Sequence, residues 1–530
     1  MYVNMKSFYK RVVVFTLILL YLPILKAQNS VEVRPNIIFF LVDDMGWQDT
    51  SVPFWDNITK ANKKFHTPNM ERLASAGMKF TQAYASCVCS PSRTSLMTGM
   101  NAARHGVTNW TLRKYQPADT KDNMLEFPAW NLNGLQPDKN DTINQTIAAT
   151  TLPQILRNNG YFTIHSGKAH WGAESTPGAN PLNLGFDVNI GGHCAGGPGS
   201  YLGTRNFSAA WRRGDPVKDL IWDVPGLEKY YGKDINLTDA LTLEAKSAMD
   251  NALKKGKPFY LYMSHYAVHV PLEPHNPYYQ KYKDKGLEEP EALYASMVEG
   301  MDKSLGDLMN YLEEKGIARN TVIVFMSDNG GLSVHGRGGI PNTHNLPLNS
   351  GKGSAYEGGI REPMIVKWPG VVKPASVCSD YLIIEDFFPS ILEIAGVKKY
   401  KTIQLVDGKS FVPMLKKNGT TAIGRDLFWH FPNKWGPHGP GIGSTSTIRS
   451  SAWKLIYWYE DQHFELFNID KDIGEHNNLA EENLEKVKEL ASRLGNYLRG
   501  AGALRPYYKK TGKLTPWPDD TFLVPSKAQL

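Results

Sequence analysis

Short, almost entirely apolar runs recur along the chain and predict strands that are buried on both faces of a sheet. These runs begin at Asn36, Tyr161, Pro258, Thr321 and Arg361. Most of them end at polar or glycine-containing segments, which are typical of the turns and loops that follow strands.

Segments with helical spacing lie between these runs. The first has Thr67 as its predicted N-cap and Gly77 as its stop, and two others end at Gly160 and Gly316. Residues 380–396 predict a further helix. Strands that alternate with helices predict an α/β fold, with a large, mostly parallel mixed sheet flanked by helices.

The pattern changes in the last fifth of the chain. Residues 444–470 predict antiparallel strands separated by turns, and residues 481–498 predict one amphipathic helix. We therefore expect a large domain at 34–420, a smaller C-terminal α+β domain with an antiparallel sheet at 421–515, and a tail at 516–530.

The N-terminus has a different character. Residues 1–27 contain Lys6, Lys10 and Arg11, then an apolar run, then Ala27 at the expected cleavage point, which predicts a secretory signal peptide. An uncleaved membrane anchor is the alternative, although the run is short for a bilayer span. We expect an exported protein, periplasmic, secreted or at the cell surface of a bacterium, with no stable membrane insertion.

The net charge and the cysteine content exclude several classes of protein. Four basic residues lie in the predicted signal peptide, and subtracting them from the formal +7 leaves +3, which is too mild for a nucleic-acid-binding protein. Four cysteines are too few for a disulfide framework or a cysteine-rich zinc site. Asn-x-Ser/Thr sequons, which matter only in a eukaryotic host, occur at Asn57, Asn109, Asn140, Asn144, Asn206, Asn236 and Asn418.

Acidic and amide side chains follow two of the predicted strands. Asp43 and Asp44 come after the first strand, and Asp328 and Asn329 lie at the end of the strand predicted in "NTVIVFMSDNGG". Clustered carboxylates repel one another unless a cation binds between them, and all-oxygen ligands favour Ca²⁺ or Mg²⁺ over zinc. Ordinary turn residues at strand ends remain the alternative interpretation.

Basic and histidine side chains follow other strands. Lys168 and His170 share one loop, His265 and His269 share another, and Lys352 lies in a third. Facing a metal, they would suit a polyanionic group such as sulfate or phosphate, to which they would supply charge and proton transfer. A lone histidine, however, is more often structural.

Cys89 lies in the segment "CSPSR". Pro91 is typical of the first turn of a helix, so Cys89 is predicted at or just before a helix N-terminus, where a negative species is favoured. Arg93 follows one helical turn later, within reach of residue 89. Composition alone favours a packing role, whereas this spacing suggests a nucleophile for phosphoryl or sulfuryl transfer.

Together these motifs resemble the type I, formylglycine-dependent sulfatases of the alkaline phosphatase superfamily, especially bacterial polysaccharide sulfatases. "CSPSRTSLMTG" fits the Cys-x-Pro-Ser-Arg signature of that family, and the resemblance covers roughly residues 34–500. The other matching motifs, in order, are "NIIFFLVDDMGWQD", "GKAHWG", "HVP", "SDNGG", "GKGSAYEGGIREP" and "LFNIDKDIGEHNNLA".

The resemblance implies that a maturation enzyme converts Cys89 to formylglycine (3-oxoalanine), whose hydrate attacks the sulfur of a sulfate ester. It implies that Arg93 orients this diol, that Lys168 binds sulfate and that His170 takes a proton during elimination. His269 and Lys352 would bind sulfate and help to protonate the leaving alcohol. It further implies a Ca²⁺ site, with Ca²⁺ favoured over Mg²⁺, whose ligands are Asp43, Asp44, residue 89, Asp328 and Asn329.

Two loop inserts, 189–201 and 336–353, resemble loops of sulfatases that act on sulfated galactose-type sugars. They make His193, Arg337 and His344 candidate sugar contacts. We therefore expect a carbohydrate sulfatase that acts on oligosaccharides from algal galactan, ulvan or glycosaminoglycan. A phosphonate or phosphate ester hydrolase with the same nucleophile, and an inactive secreted sugar-binding homologue, are the alternatives.

Overall fold

The computed structural model describes residues 34–138, 143–212, 219–333, 337–417, 424–436 and 439–522. The predicted signal peptide, the sequons at Asn140 and Asn418 and the last residues of the predicted tail lie outside these ranges. Among the described helices, none has the length and apolar character needed to cross a membrane.

The strands occur in several sheets, of which one is large. Their bounds are β1 (Asn36–Val42), β2 (Met78–Tyr84), β3 (Leu125–Glu126), β4 (Gly134–Gln136), β5 (Thr146–Ala148), β6 (Phe162–Gly167), β7 (Val188–Ile190), β8 (Phe259–Ser264), β9 (Thr321–Ser327), β10 (Arg361–Lys367), β11 (Ser376–Cys378), β12 (Leu382–Ile383), β13 (Asp426–Phe431), β14 (Thr445–Ser450), β15 (Trp453–Trp458), β16 (Phe464–Asn468) and β17 (Tyr507–Tyr508).

The large sheet has nine strands within the described residues. Its order is β11-β2-β10-β9-β1-β8-β6-β7, and β12 also pairs with β2. The central strand β1 is parallel to both β8 and β9, and β6 continues the parallel arrangement beyond β8. The strand β10 is antiparallel to β2 and β9. The prediction of a mostly parallel mixed sheet is therefore confirmed.

Helices cover both faces of this sheet. Their bounds are α1 (Lys60–Lys64), α2 (Pro68–Ala76), α3 (Cys89–Thr98), α4 (Ala102–His105), α5 (Leu152–Asn158), α6 (Leu237–Lys254), α7 (Tyr278–Asp284), α8 (Glu289–Glu314), α9 (Glu357–Ile360), α10 (Phe387–Ile394), α11 (Val412–Lys416) and α12 (Leu484–Ala501).

Strand β1 shows why its sequence is apolar throughout. Ile37, Phe39 and Leu41 pack into the core that includes residues of α3, α5 and α10. The alternating residues Ile38, Phe40 and Val42 pack into the opposite core, beneath α6 and α8. Successive side chains of a strand point to opposite faces, so a strand between two helical layers needs apolar residues at every position.

One predicted helix is only partly correct. Residues 380–396 begin with the short strand β12 and a 3₁₀ turn at Ile384–Asp386, and the helix α10 starts only at Phe387. The β-branched residue Ile383 favours extended structure, and Leu382 and Ile383 pair with Ala83 and Tyr84 of β2.

A four-stranded antiparallel sheet, β13-β14-β15-β16, lies in the C-terminal part of the chain. It packs against the amphipathic helix α12 through residues such as Leu455, Leu466 and Leu494. This antiparallel sheet was predicted, apart from its first strand, β13.

Candidate active site

Three buried carboxylates converge at the carboxyl end of the large sheet. Asp43 and Asp44 follow β1, and Asp328 follows β9, the parallel neighbour of β1. One oxygen of each carboxylate lies within 4.8 Å of the others. Asp44 has a left-handed backbone, with φ of 61°, a conformation that costs free energy and is concentrated at functional sites.

The carboxylate cluster leaves oxygen atoms without hydrogen-bond partners. Within the described residues, Asp43 Oδ1 and Asn329 Oδ1 are buried and accept no hydrogen bond. Burial, reinforced by the neighbouring Asp328 charge, raises the pKa of Asp43 well above its ordinary value. Because buried oxygens without partners are costly and hard cations prefer oxygen ligands, these residues fit a divalent cation.

Three basic side chains contact the same carboxylates. Lys168 Nζ lies 2.6 Å from Asp43 Oδ2, and Lys352 Nζ lies 2.7 Å from Asp44 Oδ1. Burial alone would raise the pKa of Asp44, but Lys352, His269 and Lys168 lower it below its ordinary value. With Arg93, whose Nη2 lies 2.7 Å from Asp328 Oδ2, three cations therefore surround three carboxylates in a buried, low-dielectric site.

Arg93 connects three strand ends. Its Nε donates to Asp328 Oδ2 at 2.8 Å, and its Nη1 donates to Ser264 Oγ at 2.6 Å and to the Lys168 carbonyl at 3.1 Å. Ser264, at the end of β8, was not predicted as a site residue. Its position as the last residue of a buried parallel strand was the signal that sequence analysis could have used.

Cys89 is the first residue of α3, after the N-cap Val88, so the predicted helix start is confirmed. The side chain is buried, and burial raises the pKa of the Cys89 thiol, although the nearby Lys168 and Lys352 oppose this shift. At neutral pH the unmodified residue is therefore a thiol, which is a poor nucleophile.

His170 is held as a neutral base. Its Nε2 pairs with the Thr111 carbonyl at 2.7 Å, so Nε2 carries the ring hydrogen and Nδ1 keeps a lone pair. In the described part of the chain, no hydrogen-bond partner contacts the buried Nδ1. Burial, with Lys168 and Arg93 nearby, lowers the pKa of His170 well below its ordinary value. No sequence pattern pointed to Thr111.

His269 lies beside the second carboxylate. Its Nε2 is 3.7 Å from Asp44 Oδ2, and its Nδ1 pairs with the Val270 carbonyl at 2.8 Å. Burial, followed by the charge of Lys352, lowers the pKa of His269 to about 3. The ring is therefore neutral at pH 7 before any anionic ligand binds.

A glycine-rich loop packs on both histidines. A Cβ atom at Gly196 would lie 2.4 Å from His170 Cε1, and one at Gly197 would lie 2.9 Å from His269 Nδ1. This loop therefore lies at the strand ends that carry the two histidines. Glycine is required at Gly196 because any side chain there would displace the catalytic-site ring of His170.

Comparison with known proteins identifies the family. A family model described as "Sulfatase" matches residues 35–397. The chain belongs to this family. A second model, "N-sulphoglucosamine sulphohydrolase, C-terminal", matches residues 351–501 of this sulfatase.

Named relatives agree with this assignment. The chain is 31% identical to a "Sulfatase" of Formosa agariphila, over 94% of each chain. It is 30% identical to N-acetylgalactosamine-6-sulfatase of Mus musculus, over 83% of this chain and 81% of that protein. The sulfatase is thus a sulfuric ester hydrolase of the alkaline phosphatase superfamily, as expected.

A solved structure shares the fold. The crystal structure of Ps i-CgsB in complex with k-i-k-neocarrahexaose has a TM-score of 0.69 and 27% identity, and covers 88% of this sulfatase and 93% of that chain. The alkaline phosphatase-like architecture with its C-terminal antiparallel sheet is therefore confirmed.

His193 and His265 of the sulfatase differ in what they contact. His193 lies next to the site, since its carbonyl accepts a hydrogen bond from His170 N at 3.3 Å. His265 instead pairs with Ser304 Oγ at 2.9 Å in the buried helix packing. These contacts therefore favour a structural role for His265 over a role in the site.

Arg337 and His344 lie elsewhere. The Arg337 guanidinium is 1% exposed and is held by Asp49 at 2.8 Å and Glu291 at 2.9 Å. This arrangement contradicts a direct sugar contact, because these two carboxylates already occupy its donors. His344 is half-buried and pairs with the Gly338 carbonyl at 2.9 Å, in a neighbouring cavity.

Proposed function

We propose that this sulfatase hydrolyses sulfate esters on oligosaccharides derived from sulfated polysaccharides, such as algal galactan, ulvan or glycosaminoglycan. The observation that carries the proposal is the buried cluster in which Cys89 at a helix N-terminus meets three cations and three carboxylates. The names of an N-acetylgalactosamine-6-sulfatase relative and a neocarrahexaose-bound structural neighbour support a carbohydrate substrate.

Cys89 is proposed to act after a maturation enzyme has converted it to formylglycine. A neutral, buried thiol is unsuited to attack, whereas the aldehyde hydrate offers two hydroxyl groups at the same position. One hydroxyl oxygen forms a bond to sulfur as the sulfur–alkoxide bond breaks and the alcohol leaves with a proton. The second hydroxyl then loses its proton, the carbon–oxygen bond to sulfate breaks, and the aldehyde is regenerated.

The basic side chains provide the positive charge for this transfer. Lys168 and Lys352 have ammonium groups at the carboxylate cluster, where they can also bind sulfate oxygens, and Arg93 is fixed by Asp328 and Ser264 so that it orients the diol. The partner-free Nδ1 of His170 suits it to take the proton of the second hydroxyl. Lys352 carries a proton for the leaving alcohol, and His269 would assist once a bound anionic sulfate ester favours its protonated form.

We propose Ca²⁺ as the resident cation. Asp43, Asp44, Asp328, Asn329 and the residue 89 oxygen would hold it, and it would supply positive charge to a sulfate oxygen and to the ionised diol. The all-oxygen donor set supports a hard cation. We also propose that the N-terminal segment directs export to the periplasm or the cell surface.

The test measures the chemical state of residue 89 and the rate of sulfate release. Peptide mass spectrometry of the active protein should find formylglycine at residue 89 and an unmodified Cys87. The C89A variant should lose at least about 10⁴-fold in kcat/KM on sulfated oligosaccharides. The matched C87A variant should keep more than half of the wild-type activity.

Two results would contradict the proposal. An unmodified Cys89 in fully active protein would rule out the formylglycine route. Turnover of small aryl sulfates, without sulfate release from any member of a panel of sulfated oligosaccharides, would rule out the carbohydrate substrate. Comparison of kcat/KM on sulfate esters and phosphodiesters separates the sulfatase from a phosphonate-type hydrolase.

A further inference from the structure

Tyr201 is a buried residue that the proposed mechanism does not use. It is 1% exposed and ends the loop insert at 189–201, which also carries Gly197, the residue packed on the ring of His269. A buried tyrosine hydroxyl group needs a hydrogen-bond partner, and the position of that partner indicates what the tyrosine does.

The Tyr201 hydroxyl group contacts two main-chain carbonyls of the His269 loop, which comprises residues 265–270. Its Oη lies 2.7 Å from the Tyr266 carbonyl oxygen and 2.9 Å from the carbonyl oxygen of His269 itself, so its one hydrogen is shared between them. The His269 amide donates to the same Tyr266 carbonyl at 3.0 Å. Tyr201 therefore holds the main chain that carries the His269 ring.

Further contacts tie the His269 loop to both of its neighbours. Tyr266 Oη donates back to the Gly191 carbonyl of the insert at 2.8 Å. On the other side, Asp43 N donates to the Ala267 carbonyl at 3.0 Å, and Val268 N donates to the Asp43 carbonyl at 2.7 Å. The loop thus lies between a residue of the carboxylate cluster and the insert that ends at Tyr201.

Tyr201 is itself held by a carboxylate. Glu273 is 8% exposed and accepts hydrogen bonds from Tyr201 N at 2.6 Å and from Ser200 Oγ at 2.8 Å. Its other oxygen pairs with Arg205 Nη1 at 2.6 Å. Hydrogen bonds to an ionised group are stronger than neutral ones, so the Tyr201 main chain has a well-defined position from which its hydroxyl group can act.

We propose that Tyr201 is a positioning residue for His269. This inference rests on the proposed function, in which His269 assists the departure of the alcohol. The ring is oriented by the bond from its Nδ1 to the Val270 carbonyl, but this bond lies within the loop and does not fix the loop against the site. Since a displacement of about 1 Å can cost about 100-fold in rate, the contact at the His269 carbonyl matters for the reaction.

The test removes one hydroxyl group and compares two kinds of ester. Sugar alcohols are poor leaving groups that need a proton, whereas 4-nitrophenol leaves readily as its anion. On the best substrate from the panel of sulfated oligosaccharides, Y201F should lose about 20-fold in kcat/KM, mainly through kcat, against no more than about threefold on 4-nitrophenyl sulfate. In an H269A background, Y201F should have little further effect, because both changes act through one ring.

Tyr260 provides the matched control. Its hydroxyl group is also buried, but it has no hydrogen-bond partner among the described residues, so Y260F removes the same atom without breaking a contact. Y260F should keep the wild-type activity on both esters. Hydrogen exchange measured by mass spectrometry reports on the contact directly. Peptides that cover residues 265–270 should exchange about fivefold faster in Y201F than in wild type or Y260F.

Unchanged exchange at 265–270, or equal losses on the two esters, would overturn the positioning role. Thermal melting checks that Y201F is folded, and R205M, which removes a partner of Glu273 at the surface, is the second variant and should speed the same exchange about twofold. If wild type released no sulfate from sugars, or if H269A affected both esters equally, the proposed function or the proposed role of His269 would fail. The exchange measurement would still decide whether Tyr201 holds the loop.

Discussion

Two buried charge clusters in this protein have similar composition and different completeness. The reaction cluster lies at the carboxyl end of the large sheet and contains Asp43, Asp44, Asp328, Arg93, Lys168 and Lys352. The interface cluster lies between the large sheet and the C-terminal sheet and contains Glu357, Glu475, Arg361, Arg449 and Lys454.

The interface cluster supplies Glu357 with several donors, although burial raises the pKa of its second carboxylate, Glu475, to about 7 despite Lys454 Nζ at 2.7 Å. Glu357 accepts hydrogen bonds from Tyr84 at 2.7 Å and Lys454 at 3.1 Å, and Arg361 lies 3.3 Å away. Burial opposes ionisation, but Lys454 and its neighbours lower the pKa of Glu357 to about 2. In the reaction cluster, by contrast, Asp43 keeps a buried oxygen without a donor among the described residues, and its pKa is raised.

This difference separates a structural role from a chemical one. A buried ion pair that is complete holds two parts of a fold together, and it leaves no group free to bind a ligand. A buried cluster with unsatisfied oxygens gains free energy when a cation or an anionic substrate completes it. The contrast can be tested by removing matched lysines from the two clusters.

Removal of Lys168 should have the largest effect on catalysis. K168M takes away a cation that contacts Asp43 and that is placed to bind sulfate, so kcat/KM should fall about 10³-fold, the effect of losing one electrostatic donor in a preorganised site. Sulfate release by purified, formylglycine-containing protein checks this. A loss of less than tenfold would mean that the lysine is only a structural partner of Asp43.

Removal of Lys454 should affect stability instead. K454M leaves two buried carboxylates, Glu357 and Glu475, without their shared partner, and the free energy of unfolding should fall by about 3 kcal/mol. Urea unfolding measures this loss, and kcat/KM per folded molecule should stay within twofold. A large loss of kcat/KM in the folded variant would show that the interface cluster also positions the reacting groups.

Calcium should stabilise the reaction cluster alone. Since a ligand that binds only the folded state adds about 2.7 kcal/mol at a concentration 100 times its Kd, Ca²⁺ should raise the melting temperature of the chelator-treated wild type. D328N should weaken this response, because an amide replaces a ligand carboxylate. E357Q, in the interface cluster, should melt at a lower temperature than wild type but gain as many degrees from Ca²⁺. If D328N gained as many degrees from Ca²⁺ as wild type, Asp328 would be excluded as a ligand.

Sequence analysis located the reaction cluster for a physical reason. Asp43, Asp328 and Lys168 all follow strands, and the ends of parallel strands meet at one edge of a sheet. That rule needs only strand positions, which the apolar runs provide. The helix start at Cys89 was equally accessible, because Pro91 and the residues after it follow local helix rules.

The interface cluster and the role of Arg337 could not be predicted from the sequence pattern. Glu357 meets Lys454 across 97 residues, and Arg337 meets Asp49 across 288 residues. Periodicity reports which positions are buried, but it does not report which buried charges pair with each other. The antiparallel direction of β10 was also not predicted, because an apolar run has no signal for its direction.

Glu385 is a third kind of buried carboxylate, which is neutralised by a bound proton. It accepts a hydrogen bond from Asn101 Nδ2 at 2.8 Å, and burial, with Asp386 nearby, raises its pKa to about 8. No grouping of this residue with two further metal-ligating side chains occurs in the described part of the chain. Its neutral form therefore contributes stability below the ordinary glutamate pKa, and that contribution is lost as the pH rises toward 8.

E385Q should remove this pH dependence of the free energy of unfolding. Glutamine keeps an acceptor for Asn101 and does not titrate, so the variant should gain stability over wild type by about 1 kcal/mol per pH unit between pH 5 and 8. Urea unfolding at pH 5.5, 6.5 and 7.5 measures the difference, and E393Q, at an exposed position on α10, is the matched control. If the difference in unfolding free energy between E385Q and wild type did not change with pH, Glu385 would be ionised in the folded protein. The fold would then tolerate a buried, ionised carboxylate outside the reaction cluster.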